Sequence, residues 1–245
     1  MSGFLDAVSL LTRLRTRGGA DTARAIPWMP VVGALVGIVV ALVYAGLHVV
    51  LTPLIAASIA IATGTVITGA LHEDGLADVA DAFGARVSRE RAMEIMQDPR
   101  HGTYGIVALV LSVVARVTAL GALGPWTAVA ALPVAHSLGR ASAGATMATL
   151  PAAGGSTLGA SYKPQRGSAT TGLVIAAVIA AALMGFWSIP AIAVALVAAA
   201  VVGLLAMQKL GGFNGDVLGA IEQLAELGIL CLAVAARAHI PWWHA

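Results

Sequence analysis

The residues best able to do chemistry in this chain stand in one run, His72-Glu73-Asp74-Gly75-Leu76-Ala77-Asp78-Val79-Ala80-Asp81. If the run is helical, Asp74, Asp78 and Asp81 fall at i, i+4 and i+7 and share one face, with Glu73 beside them. Like charges at that spacing repel, and a divalent cation removes the conflict. Mg²⁺ suits hard oxygen ligands and is typically held by one or two carboxylates plus waters and substrate phosphates. Glu73 to Asp81 spans roughly 12 Å of helix, too far for all four acids to hold one ion. Two ions about 4 Å apart, with substrate oxygens between them, fit the run better. The alternative is a solvated, negatively charged helix start, the usual meaning of an acidic run. Gly75 removes a side chain where backbone or ligand approaches.

Other candidates flank this run. Asp98-Pro99-Arg100-His101-Gly102-Thr103-Tyr104-Gly105 reads as a phosphate-binding turn, because the planar fork of Arg100 matches phosphate geometry and Gly102 and Tyr104 stand beside it. It reads equally well as a plain turn entering the next helix. Glu94 and Asp98, four apart, either join a metal site or pair with Arg91 and Arg100. Arg116, His136 and Arg140 lie inside apolar stretches, where ionisable groups suggest function. Arg140 is the better phosphate candidate. Arg116 answers a carboxylate or a phosphate, or pairs with Glu222 or Glu226, and His136 reads as a buried hydrogen-bonding residue. In Lys209-Leu210-Gly211-Gly212-Phe213-Asn214-Gly215-Asp216, the glycines suggest a tight loop whose amides face an anion. Asp216 is then a third metal ligand or a helix N-cap.

What must position these residues follows from composition. The chain has 245 residues, 59% hydrophobic and only 11% charged. Soluble domains carry roughly 25% charged residues, so a polar surface cannot be covered here. A spanning helix needs about 20 mostly apolar residues. Seven stretches fit: 31–51, 54–71, 105–123, 126–150, 171–187, 189–207 and 217–238. Thr52-Pro53, Gly124-Pro125 and the stretch 188–190 hinge the pairs. Gly33 and Gly37 form a close helix-packing pattern. Phe4, Leu5, Val8 and Leu11 have helical spacing and precede Arg13, Arg15 and Arg17, which reads as an interfacial amphipathic helix. The expected fold is an all-α, polytopic integral membrane helical bundle of about seven transmembrane helices. It forms a single membrane domain, residues 1–245, with an interfacial segment at 1–30 and an acidic loop at 72–104.

Orientation follows from the basic residues. Of 14, 11 fall in the N-terminal segment and the second, fourth and sixth loops, among them Arg13, Arg24, Arg86, Arg100, Lys163 and Lys209. The positive-inside rule makes that side, and the N-terminus, cytoplasmic. Trp242 and Trp243 then sit at the far interface. Ten of the 12 acids gather at two junctions on the cytoplasmic side. A net charge of +2 without a dense basic tract argues against nucleic-acid binding. The lone Cys231 excludes a disulfide framework. No P-loop, H-E-x-x-H or G-x-S-x-G motif occurs.

The stretch Glu-Asp-Gly-Leu-Ala-Asp-Val-Ala-Asp-Ala-Phe-Gly (residues 73–84) resembles the signature of the cobalamin synthase family, the adenosylcobinamide-GDP ribazoletransferases. Residues 11–15, 96–105 and 211–220 resemble three further motifs of that family, in order along nearly the whole chain. Gln97 stands where the family commonly has Lys, Pro99 replaces Ser and Asn214 replaces Thr. These changes leave the acids intact and remove a lysine contact to phosphate. The resemblance implies phosphoryl transfer at the cytoplasmic face of the cell inner membrane. Adenosylcobinamide-GDP is joined to α-ribazole or its 5′-phosphate, GMP leaves and Mg²⁺ is required; a homo-oligomer is possible. On that reading Glu73, Asp74 and Asp78 are metal ligands, and Asp81 is a ligand or the base that accepts the ribose hydroxyl proton. Asp216 is a further ligand, and Arg100 and Arg140 hold phosphate. Two other readings compete. A CDP-alcohol-type phosphotransferase lacks its D-x-x-D-G-x-x-A-R spacing here, and an ion-coupled transporter needs acids near mid-membrane.

Overall fold

A computed structural model describes residues 2–16, 21–154, 166–241 and 243. Arg17, Lys163 and Trp242, used in the orientation reading, lie outside the described residues. The helices are α1 (Ser2–Leu11), α2 (Thr22–Ala25), α3 (Met29–Leu47), α4 (Pro53–Thr68), α5 (Leu71–Gly84), α6 (Arg89–Met96), α7 (Thr103–Gly121), α8 (Pro125–Thr149), α9 (Arg166–Met184), α10 (Ser188–Lys209) and α11 (Gly215–Ala235). Among the described residues there is no strand, only one isolated parallel bridge between Ala152 and Phe213. The helices start where the chain favours it. Proline opens α4 and α8, where its missing N–H costs nothing. Asn214 Oδ1 accepts the Val217 N–H at 3.0 Å and so caps α11.

The helical membrane bundle is as expected, but seven spans do not emerge. By length and apolarity four helical stretches qualify, or five if α4 and α5 count as one. Three features account for the difference. The stretch Arg166–Lys209 qualifies as one length of 44 residues, yet it folds back on itself. Gly185 at φ 55° breaks it. Ala169 near its start and Val202 and Ala206 near its end share a core with Met147. Ala176 and Ala195, nearer the break, share another with Ala135. So α9 and α10 run antiparallel. Helix α8 is long enough but polar in its middle, and nearly all of it is buried as the central helix. Helix α4 has 16 residues and turns by 90° into α5. Outward-facing Val110, Leu111 and Val114 of α7, with Val197, Val201 and Leu204 of α10, present the apolar surface a bilayer requires.

Close packing holds α3 to α8. A Cβ on Gly33 would lie 2.4 Å from the His136 carbonyl oxygen, and one on Gly37 would lie 2.5 Å from that of Leu132. The small-residue pattern therefore does what such patterns do in membranes: it lets two backbones meet. At one end of the bundle the bend after α4 uses two successive left-handed residues, Gly69 at φ 72° and Ala70 at φ 61°. The Ala70 N–H reaches the Thr65 carbonyl at 2.9 Å, which closes the helix end. Alanine pays about 1–2 kcal/mol for that conformation. The chain after α1 covers the bend, with Arg13 N–H on the Ile67 carbonyl at 2.9 Å. Helix α1 is packed rather than frayed: Ala7 and Leu11 are buried, and Phe4 meets Trp28 edge to face at 5.9 Å. The bend lays α5 across the end of the bundle, against α7 and α11.

Candidate active site

The acidic run is indeed helical, but its four carboxylates divide among three places. Asp74 and Asp78 lie on one flank of α5, where the first turn of α11 adds Asp216. The two helices touch closely there. A Cβ on Gly75 would lie 2.7 Å from the Asp216 carbonyl oxygen and 2.9 Å from its Cα. Gly75→Ala must push α5 from α11, backbone against side chain, and is expected to cost about 1–3 kcal/mol. A lowered Tm of the detergent-solubilised variant is the readout.

His101 completes this surface cluster. Its Nε2 is 3.5 Å from Asp74 Oδ1 and its Nδ1 is 3.4 Å from Asp78 Oδ1. Asn214 donates to Asp216 Oδ2 at 2.8 Å. Asp78 is better shielded than Asp74, with its side chain 13% exposed against 62%. Burial, then the charges of Asp74 and Asp216, push its carboxyl up to about 7; His101 opposes them and Asp81 adds to them. The local charge is therefore uncompensated and negative, held on hard oxygen donors at the edge of the bundle. Such a donor set fits Mg²⁺. Sequence reasoning assigned no role to His101. Its place between Arg100 and Gly102, opening the turn before α7, was the available signal.

Asp81 has a different task. Its Oδ2 accepts the Gly102 N–H at 2.6 Å and its Oδ1 accepts that of Gly105 at 2.9 Å. It caps the start of α7 from another helix, satisfying amides that have no partner within their own helix. Gly102 and Gly105 are required there, since a Cβ on either would lie within 2.6 Å of an Asp81 oxygen. This bond fixes the 98–102 turn, and His101 with it, over α5.

Glu73 points the other way, into the bundle. It accepts from Thr65 Oγ1 at 3.0 Å and pairs with Arg116 Nη1 at 3.4 Å. Arg116 also faces Glu226 at 3.7 Å. Arg140 Nη1 donates to Glu222 Oε1 and, at 3.3 Å, to Glu226 Oε1, and it is 3.2 Å from His136 Nδ1. His136 also pairs with Glu226, and His72 Nδ1 lies 3.3 Å from Glu222 Oε2. Three carboxylates thus face two guanidiniums and two imidazoles, with all seven side chains buried. His136, Glu222 and Glu226 are, among the described residues, the one trio of ligand-type side chains whose ligand atoms lie within 4.8 Å of one another. The Arg140 guanidinium already occupies their centre. Asp74, Asp78 and Asp216 converge less tightly, consistent with an ion that keeps waters and takes phosphate oxygens.

The remaining candidates are dispersed. Arg100 forms a two-point pair with Asp98 at 2.8 and 2.9 Å and projects into solvent, 85% exposed. Its guanidinium pulls the Asp98 carboxyl down to about 2. Glu94 pairs with Arg91 at 2.7 Å on the exposed face of α6. Tyr104 is exposed, with its ring against Gly84. The glycine loop before α11 does not hold its amides open for an anion. Gly211 N–H goes to Ala206 and Met207 carbonyls at 3.1 Å, and Phe213 N–H to Pro151 at 2.9 Å. That loop ties α10 to the segment after α8.

Comparison with known proteins gives the family. A family model described as cobalamin-5-phosphate synthase matches residues 3–234. A protein of Bradyrhizobium diazoefficiens named adenosylcobinamide-GDP ribazoletransferase is 42% identical over 234 residues, 93% of this chain and 90% of its own. Proteins of the same name from Rhizobium etli (strain CIAT 652) and Azorhizobium caulinodans are each 38% identical. The first alignment covers 87% of this chain and 86% of the relative, the second 89% and 87%. No solved structure matches.

Proposed function

Since the chain belongs to the cobalamin-5-phosphate synthase family, we propose that it is an adenosylcobinamide-GDP ribazoletransferase of the inner membrane that requires Mg²⁺ and works at the cytoplasmic face. The observation that carries the site assignment is the uncompensated cluster of Asp74, Asp78 and Asp216 around His101. A hydroxyl of the ribazole ribose attacks the corrinoid-bearing phosphorus of the pyrophosphate. The bond from that phosphorus to the GMP oxygen breaks, and GMP leaves. When bound, Mg²⁺ neutralises the pyrophosphate and the departing GMP; Asp74, Asp78 and Asp216 are the residues that would hold it. In this reading His101, beside Asp74 and Asp78, turns one ring nitrogen to the ribose hydroxyl and takes its proton. Asp81 holds His101 in place through the turn it caps. Glu73, Arg116 and Arg140 act as the electrostatic frame inside the bundle rather than as contacts to metal or phosphate.

The test is product formation. Purified protein given adenosylcobinamide-GDP and α-ribazole 5′-phosphate with Mg²⁺ is expected to form the joined corrinoid and GMP in equal amounts. No joined corrinoid under these conditions would overturn the assignment. The paired charges in the bundle also argue against an ion-coupled transporter, whose membrane acids need to be free to bind the ion.

The raised Asp78 carboxyl carries a pH prediction. A carboxyl whose pKa rises on folding binds its proton more tightly in the folded state, so folding is favoured at low pH. That advantage is lost as pH climbs from about 4 to about 7. Ion-free protein is therefore expected to melt higher at pH 6 than at pH 8. Mg²⁺ should narrow the gap, and Asp78→Asn should remove it. Thermal unfolding in detergent at the two pH values measures all three.

A further inference from the structure

A cavity of roughly 130 Å³ lies at the junction of α5 and α11. Leu10 and Leu11 of α1, Met29 of α3, Leu71 of α5, Met147 of α8 and Leu218 of α11 give it apolar walls. Its polar side is made by His72, Arg140 and Glu222. Gly215, which also lines it, precedes Asp216 directly, and His72 stands two residues before Asp74. The cavity and the carboxylates therefore share the same junction of α5 and α11.

Size and lining restrict what fits. An apolar cavity of about 150 Å³ holds one benzene ring. The corrinoid is far too large for this space. A nucleotide phosphate is excluded by the walls, since an unpaired charge there would lose its hydration. A flat heteroaromatic base meets both limits when one of its rings fills the cavity and the rest of it stays at the mouth. Met29 and Met147 offer sulfur contacts to a ring.

We propose that this cavity is the subsite for the heteroaromatic base of the acceptor nucleoside. The base enters between α1, α8 and α11, and its ribose remains at the mouth, facing Asp74, Asp78 and Asp216. The inference rests on the transferase reading above, and the experiment separates the two. Burial of a ring system is worth about 1.5–3 kcal/mol, which corresponds to roughly tenfold or more in affinity.

Met147→Trp fills the cavity from its buried wall, and Leu218→Trp does so from its half-buried rim. Each is expected to raise KM for α-ribazole 5′-phosphate about tenfold or more, leaving KM for adenosylcobinamide-GDP unchanged. Wild-type activity with unchanged acceptor KM in both folded variants overturns the subsite alone. So does an equal rise in both KM values. If the wild type makes no product, the transferase reading fails by itself. Calorimetric titration with free benzimidazole still tests the cavity: binding to wild type and its loss in Leu218→Trp supports the subsite, whereas no binding, or equal binding, overturns it.

Discussion

Asp74→Asn is expected to lower GMP release from adenosylcobinamide-GDP by about a hundredfold or more, the scale seen when one preorganised electrostatic contact to a transition state is removed. The protein should remain folded. Asp74 is 62% exposed and, among the described residues, its side chain pairs with His101 at 3.5 Å. Removing its charge also relieves Asp78, whose carboxyl is pushed up in part by Asp74. Melting temperature should therefore hold or rise while turnover collapses. Loss of stability and activity together would point to a structural role. Undiminished turnover at saturating Mg²⁺ would remove Asp74 from the metal site.

The largest effect on stability is expected inside the bundle, from Arg140→Met. Arg140 is 1% exposed and reaches Glu222, Glu226 and His136. Breaking a buried pair by deleting one partner costs about 3–5 kcal/mol, because the other charge stays buried and uncompensated. The double variant Arg140→Met with Glu222→Leu removes one charge of each sign. It should be more stable than Arg140→Met alone, since an apolar pair is often no worse than the ion pair it replaces. Denaturant or thermal unfolding of the three proteins in one detergent reads the difference. A double variant less stable than the single one would contradict the charge-balance account.

Much of this was legible in the sequence where the signal is local. The apolar excess announced a membrane bundle. The period of Asp74 and Asp78 on a helix placed them on one flank, and Gly33 and Gly37 announced the contact between α3 and α8. Direction was not legible, nor was distant partnership, apart from the pairing of Arg116 with Glu226. Glu73 adjoins Asp74 in the chain, yet a turn of about 100° per residue sends its side chain into the bundle, toward Arg116 43 residues away. Arg140 looked free to meet phosphate because its partners are 82 and 86 residues distant. Asp81 looked like a ligand because helix caps are usually sought within a few residues, whereas it caps amides 21 and 24 residues on. Gly69 alone marked the bend after α4, and Ala70 beside it takes a conformation that alanine rarely adopts. Polar α8 resembled a span in length, but its burial marks it as the central helix that other helices surround.

The central claim is that Asp74, Asp78 and Asp216 hold a divalent ion used in phosphoryl transfer. Its most direct measurement is GMP release by the purified protein, with both substrates present, as Mg²⁺ is titrated in from a chelated start. The expected result is no release without the ion and a saturable rise with it, strongly reduced in Asp74→Asn. Equal release in the presence of chelator and of Mg²⁺ would contradict the account.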